Sequence, residues 1–358
     1  MGQKWPPENV VKWTPLSAVE FQRWLGLSYL MGIIKLPAME DYWTYLFGMP
    51  SFGSYMSRDR FSQIKSMLQL ESPTEEAGAA VHDRAPKVRL WLRTLESNCE
   101  KHTVFMPKRE VAIDEQSITF TSLWAAFTHQ NRHKPSGQGF SIYSITEVET
   151  EYTSHSRMTE NNWAQHPRRG DPAGEAADGA GPPQNLRGQP LYIAALGHGM
   201  CGTWRANYYI PAALTRSSPA VVSALKEEGA MIRRAADAGM IGWVWHESKI
   251  CNFLCNFSDP TDLGHALLRE RGVRGRPRRQ APRCAADYNI YMMVVDKCDQ
   301  KGGRTRRSSK WWMPLFYWTL DIAAVNGYAI HQHEWAAANP GKRLPRRDRF
   351  RWQVALVE

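Results

Sequence analysis

The segment from Val111 to Phe120 reads VAIDEQSITF. Its valine, isoleucines, threonine and phenylalanine favour an extended backbone, because β-branched and aromatic side chains fit a pleated, half-buried surface. A strand is expected here, and it carries two adjacent acids, Asp114 and Glu115, among apolar neighbours. Taking a carboxylate out of water is costly unless it is paired or holds a cation. The pair therefore reads either as salt-bridged or edge residues or as the start of a metal-binding site. A second strand is expected from Phe140 to Val148.

Upstream of this strand the pattern is helical. Phe21, Trp24, Leu25, Leu27, Leu30, Met31 and Ile34 recur at helical spacing between Trp13 and Leu36. Thr14 or Ser17 is positioned to cap that helix, with Glu20 completing a capping box after Ser17, and Pro37 ends it. A second helix is expected over Ser57 to Leu70, capped by Ser57, and a third over about Pro86 to His102. Downstream, Arg157 to Pro190 is rich in Gly, Ala and Pro and reads as a loop or a disordered stretch. Short elements are expected at Leu191 to Leu196 and Cys201 to Ile210, and strands within Ile241 to Phe257. Arg269 to Arg283 reads as a basic linker, and Asp287 to Asp299 and Trp311 to His331 read as helices.

A second group of acids lies in YNIYMMVVDKCDQ, Tyr288 to Gln300, with Asp287 just ahead of it. On a helix, Asp296 and Asp299 are three residues apart and share a face. Like charges so placed repel unless a cation lies between them. The apolar MMVV before Asp296 argues for partial burial of that turn. Lys297, Lys301 and Lys310 are the cations nearby in sequence.

The chain has 358 residues, a formal net charge of +10 and a sequence pI of about 9.3. The excess is not spread evenly. Runs of cations occupy Arg269 to Arg283, Lys301 to Lys310 and Lys342 to Arg351, all in the second half. Each alone reads as a solvated loop; together they point to a phosphate-contacting surface. Fifteen Trp favour folded structure over disorder. The six Cys form no CxxC pair, so no zinc module is readable, and reduced thiols are expected. Cys251 and Cys255 would share a face on a helix. No apolar stretch is long enough to span a bilayer, and MGQKWPPENVVKW has no apolar h-region. Neither a membrane partner nor a small-molecule substrate is expected.

The ordered motifs resemble those of piggyBac-type transposases. The strand motif matches Ile113, Asp114, Glu115, Gln116, Ile118 and Phe120. Lys134 and Pro135 follow, with Gly137 and Gly139 at altered spacing. Gly202, Thr203, Arg205 and Asn207 match a GT-x-R-xN motif, and Tyr288, Asn289, Met292, Val295, Asp296, Asp299 and Gln300 match the acidic one. Lys310, Trp311, Trp312, Leu315, Phe316, Asp321, Ala323 and Asn326 match the motif after it, with Gly327 where Ala is usual. Upstream, Met31, Gly32, Ile34, Leu36, Pro37, Tyr42 and Trp43 correspond, and MSRDRF, Met56 to Phe61, matches in full.

The resemblance implies an α/β fold in which an N-terminal helical region (1–105, DNA-binding or dimerisation-like) precedes a ribonuclease-H-like catalytic core (106–358). That core would hold the low-complexity stretch 157–190 and an insertion-like region at 210–280. It also implies three Asp ligands around two Mg2+ or Mn2+ ions about 3.5–4 Å apart, and cut-and-paste chemistry at TTAA sites. Asp114 would be the first ligand and Asp296 the third, with Asp299 as auxiliary acid. DNA is the implied partner, a homodimer a possible assembly and the nucleus the implied location. Arg274, Arg276, Arg278, Arg279, Arg304, Arg306, Arg307 and Lys310 are the expected phosphate contacts. The second ligand is missing: Gln184 falls where the second Asp belongs, and Asp171 and Asp178 are the nearest acids upstream. The family's W-x-D-x-K-x-V reads WVWHESKIC, and its MGGVD reads MMVVD. No counterpart of the Cys/His-rich zinc module or of the acidic N-terminal region occurs in the 358 residues. A degenerate, DNA-binding descendant without full transposase activity is therefore expected, an active enzyme with an unexpected second Asp being the alternative.

Overall fold

The computed structural model describes residues 13–44, 52–70, 85, 87–101, 110–120, 129–130, 138–158, 199–203, 219–227, 229–235, 240–247, 249–259, 261–267, 278–302 and 310–345, with the exception of a few side chains within these ranges. The chain divides into two compact units, Met1–Glu160 with Val294–Glu358, and Asn161–Met293.

In the first unit, α1 spans Ala18–Ile33, α2 Arg58–Met67 and α3 Arg89–Glu100. Both expected serine caps form. Ser17 Oγ accepts from the Glu20 amide at 3.1 Å, and Ser57 Oγ accepts from the Arg60 amide at 3.3 Å, each satisfying one amide left without a helical partner. Helix α1 begins at Ala18 rather than near Trp13, because Ser17, not Thr14, is the cap. A four-stranded antiparallel sheet follows: β1 (Val111–Thr119), β2 (His129–Gln130), β3 (Gln138–Glu147) and β4 (Thr153–Met158). The long β3 is central, with β1 on one side and β2 and β4 on the other. Register pairs Asp114 with Ser144 and Thr119 with Gly139.

The second unit holds two antiparallel sheets. One has the order β5-β8-β7-β6, from β5 (Cys201–Thr203), β6 (Met231–Ala235), β7 (Ile241–His246) and β8 (Ile250–Cys255). The other pairs β9 (Leu263–Leu267) with β10 (Arg278–Pro282). Helix α4 is Pro219–Ala224 and α5 is Arg283–Tyr291. Trp243 and Trp245 on β7, Phe253 and Cys255 on β8, and Cys284 and Ala285 on α5 form its core. One expectation is corrected here. The end of the basic run is not linker: Arg278 and Arg279 lie in β10, because Leu263–Leu267 offers a strand to pair with. Cys251 and Cys255 lie on a strand, as expected within Ile241 to Phe257, and so stand roughly 13 Å apart at ~3.3 Å per residue.

Two more helices return to the first unit, α6 (Val294–Gly302) and α7 (Met313–Ala338). The expected single helix over Asp287 to Asp299 is thus two, broken at Met292 and Met293. Helix α7 is apolar on most of its surface and runs through the core. Its Leu315 and Phe316 pack with Trp24 and Leu27 of α1, Phe61 and Ile64 of α2, and Phe140 and Ile142 of β3. A helix apolar all round is a buried one. Among the described residues, no helix is long and apolar enough to cross a membrane. Residues 159–198, which include Gln184, Asp171 and Asp178, lie outside the described residues, as do Lys134, Pro135, Arg205, Asn207, Arg274, Arg276, Arg304, Arg306, Arg307 and the run after Leu344 and Pro345.

Candidate active site

Asp114 sits in the middle of β1, on the same face as Gln116 two residues later, since side chains alternate along a strand. Gln116 is buried, and its Oε1 accepts from Trp318 Nε1 of α7 at 2.8 Å. The helix-covered face of β1 is thereby fixed. Asp114 lies beyond the cover and is exposed, which corrects the expectation of a buried acid. Its carboxylate accepts from the amide of Glu115 at 2.7 Å. Glu115 points the other way, is half-buried, and accepts from Ser141 Oγ at 2.6 Å across the β1–β3 pair. The desolvation cost that singled out this acidic pair therefore does not bear on Asp114.

Helix α6 packs against β1 and β3 and against α7. Val294, Val295 and Cys298 face inward, Asp296 is exposed in the first turn, and Asp299 is half-buried at the edge of the packed face. The expected burial holds for Val294 and Val295 and does not extend to Asp296. The strand acid and the helix acids thus come from neighbouring, packed elements of one unit. Carboxylates suit a hard divalent cation. Among the described residues, however, no group of three His, Cys, Asp or Glu side chains is gathered closely enough to hold a metal ion. Asp114, Asp296 and Asp299 do not by themselves form a complete site.

Lys310 is placed differently from a phosphate contact. Its ammonium donates to the carbonyls of Lys65, Ser66 and Leu68 at 3.1, 2.6 and 3.1 Å, and it lies 5.5 Å from the Trp312 ring. Those carbonyls close the C-terminal end of α2, where a cation is favoured by the helix dipole. Burial, then the charges of Lys87 and Lys65, lower the Lys310 pKa. Three donors directed at three carbonyls leave none for a phosphate oxygen.

The remaining motif residues are largely structural. Asn326 of α7 clasps the backbone of Thr153 on β4, donating to its carbonyl and accepting from its amide, both at 2.8 Å. Tyr42 Oη accepts from the Leu36 amide at 3.0 Å and donates to the Ile34 carbonyl at 2.7 Å, and Trp43 Nε1 donates to the Met56 carbonyl at 2.7 Å. Thr153, the partner of Asn326, lies far along the chain and is not among the motif residues, whereas Ile34, Leu36 and Met56 are.

A model of the family described as Transposase IS4 matches residues 1–178 and 192–328. The chain belongs to this piggyBac-type transposase family. Among solved structures it is similar to the piggyBac transposase of a cryo-EM synaptic complex with hairpin DNA. The TM-score is 0.71 at 17% identity, covering 98% of this chain and 73% of that one. The family match is interrupted over 179–191, the interval that contains Gln184.

Proposed function

We propose that this chain is a transposable-element-derived DNA-binding protein that has kept the framework of a cut-and-paste transposase and lost its strand-transfer chemistry. The observation that carries the reading is the interruption of the family match at 179–191, the interval in which the resemblance would place the second acid and the sequence has Gln184. An in-line displacement between two cations needs ligands that fix both. Asp114 on β1 and Asp296 with Asp299 on α6 supply two sides of such a site within a ribonuclease-H-like core, and glutamine cannot supply a third carboxylate. With a complete set, Mg2+ or Mn2+ would activate the attacking oxygen and stabilise the leaving one. DNA binding is supported by the basic runs and by the DNA-bound state of the similar transposase. In this reading residues 1–105 contribute to DNA contact or to homodimer formation, Arg274, Arg276, Arg278, Arg279, Arg304, Arg306 and Arg307 contact phosphates, and the protein acts in the nucleus.

The test is a nicking and strand-transfer assay on a TTAA-flanked element end with Mg2+ or Mn2+, with Asp114→Ala beside the natural sequence. The expected outcome is salt-sensitive DNA binding without cleavage by either protein. Cleavage that Asp114→Ala abolishes would overturn the reading in favour of an active transposase, with Asp171 and Asp178 the next positions to substitute.

A further inference from the structure

The second unit gathers three cysteines that the transposase reading does not use. Cys201 on β5 stands directly across from Cys255 on β8. The Asn256 amide donates to the Met200 carbonyl at 3.2 Å. Met200 and Asn256 are therefore a hydrogen-bonded pair, and Cys201 and Cys255, one step further in, are a non-hydrogen-bonded pair. The Cα atoms of such a pair lie ~4.5 Å apart with their side chains on one face. That separation is within the ~4.4–6.8 Å that a disulfide spans. Cys201 Sγ also donates to the Cys284 carbonyl at 3.1 Å, which orients it over the start of α5. Cys255 Sγ accepts from the Ser258 amide at 3.4 Å.

The two sulfurs differ in character. Cys255 is fully buried, whereas Cys201 is half-exposed on the strand at the sheet's edge. The neighbouring thiols of Cys201 and then Cys284 hold Cys255 well below the usual thiol range, with the Phe257 and Ser258 amides adding to the effect. Its bond to Cys255, then that to Cys284, pushes Cys201 up. Cys201 is thus the sulfur that solvent reaches, and strand pairing holds Cys255 directly across from it.

We propose that Cys201 and Cys255 form a reversible oxidation site, converted by a peroxide-class oxidant into a cross-strand disulfide that ties β5 to β8. Each cysteine loses its thiol hydrogen and the S–S bond forms. The O–O bond of hydrogen peroxide breaks, and both oxygens leave as water, taking up two electrons from the pair of sulfurs. Cys251 is too far along β8 to compete, and Cys99 and Cys298 belong to the other unit.

The test is peptide mapping of the full chain, alkylated without reduction after brief exposure to hydrogen peroxide. The expected result is one linked peptide pair joining Cys201 to Cys255, with the other four of the six cysteines alkylated and all six recovered after phosphine reduction. Cys251→Ser keeps the link and Cys201→Ser abolishes it. Six alkylated cysteines after oxidation, or a link between any other pair, would overturn the proposal. The mapping of the natural sequence decides this even where a variant folds poorly.

Discussion

Trp318 of α7 donates its indole proton to Gln116 of β1 across 2.8 Å, joining two buried residues that lie far apart in the chain. This bond seats the long helix on the strand that carries Asp114. Among the described residues the buried Gln116 Nε2 has no partner, so the side chain already bears part of the cost of an unmet polar group. Trp318→Phe strands the acceptor as well and should lower stability by about 1–3 kcal/mol. Gln116→Leu strands the indole N–H but removes the orphaned amide, so its loss should be the smaller of the two. Urea unfolding of both variants checks the order; a larger loss for Gln116→Leu would contradict it.

Arg60 binds Glu20 through two nitrogens, Nε to Oε1 at 2.7 Å and Nη2 to Oε2 at 2.9 Å, and its guanidinium lies 4.9 Å from the Trp13 ring. The hydrogen bond to Arg60 holds the Glu20 carboxyl below its ordinary value near 4.5. A carboxyl depressed on folding contributes stability that is present above the unfolded pKa and lost as pH falls through the folded one. Glu20→Gln should therefore melt below the natural sequence at neutral pH, and the difference should close as pH drops below about 4.5. Thermal melts across that range measure it, and a difference that widens in acid would refute the assignment.

Gly139 faces Thr119 in the β1–β3 register, and a Cβ placed on it would stand 2.0 Å from the Ile118 carbonyl oxygen. Backbone cannot swing aside as a flexible side chain can, so Gly139→Ala must force β1 away from β3. The expected cost exceeds the ~1–3 kcal/mol of ordinary overpacking. Loss of soluble protein, or a broad collapse of the melting transition, is the measurement; a variant melting like the natural sequence would show that β1 and β3 pair in another register.

Local signals were the legible part of this chain. Ser17 and Ser57 cap helices through residues three positions on, and β-branched and aromatic residues mark β1, so both were readable from short windows. The cover on β1 was not, because it comes from Trp318, and the exposure of Asp114 followed from where that cover ends. The break between α5 and α6 falls in Met292 and Met293, with no Gly or Pro to announce it. Cys201 and Cys255 meet only through strand pairing, which spacing along the chain does not encode. The acids at 114, 296 and 299 were found by motif, and the structure brings their elements together without completing a ligand set.

Two kinds of cation should separate in a binding experiment. Lys310 spends its donors on the carbonyls of Lys65, Ser66 and Leu68. Lys310→Ala should cost about 1–3 kcal/mol of stability, since those carbonyls lose a charged donor. It should leave the salt dependence of DNA binding unchanged. Lys310→Arg should not restore stability fully, because a planar guanidinium cannot direct three bonds to one helix end as an ammonium does. Arg304, Arg306 and Arg307 belong to the neighbouring basic run. If they neutralise phosphates, replacing all three by Ala should flatten the slope of log K against log salt by about 0.9 for each phosphate no longer neutralised. Stability should change little. Fluorescence anisotropy with a labelled duplex at several salt concentrations, beside urea unfolding of each variant, reads both quantities. A flattened slope for Lys310→Ala would return that lysine to the DNA surface, and an unchanged slope for the triple variant would remove the arginines from it.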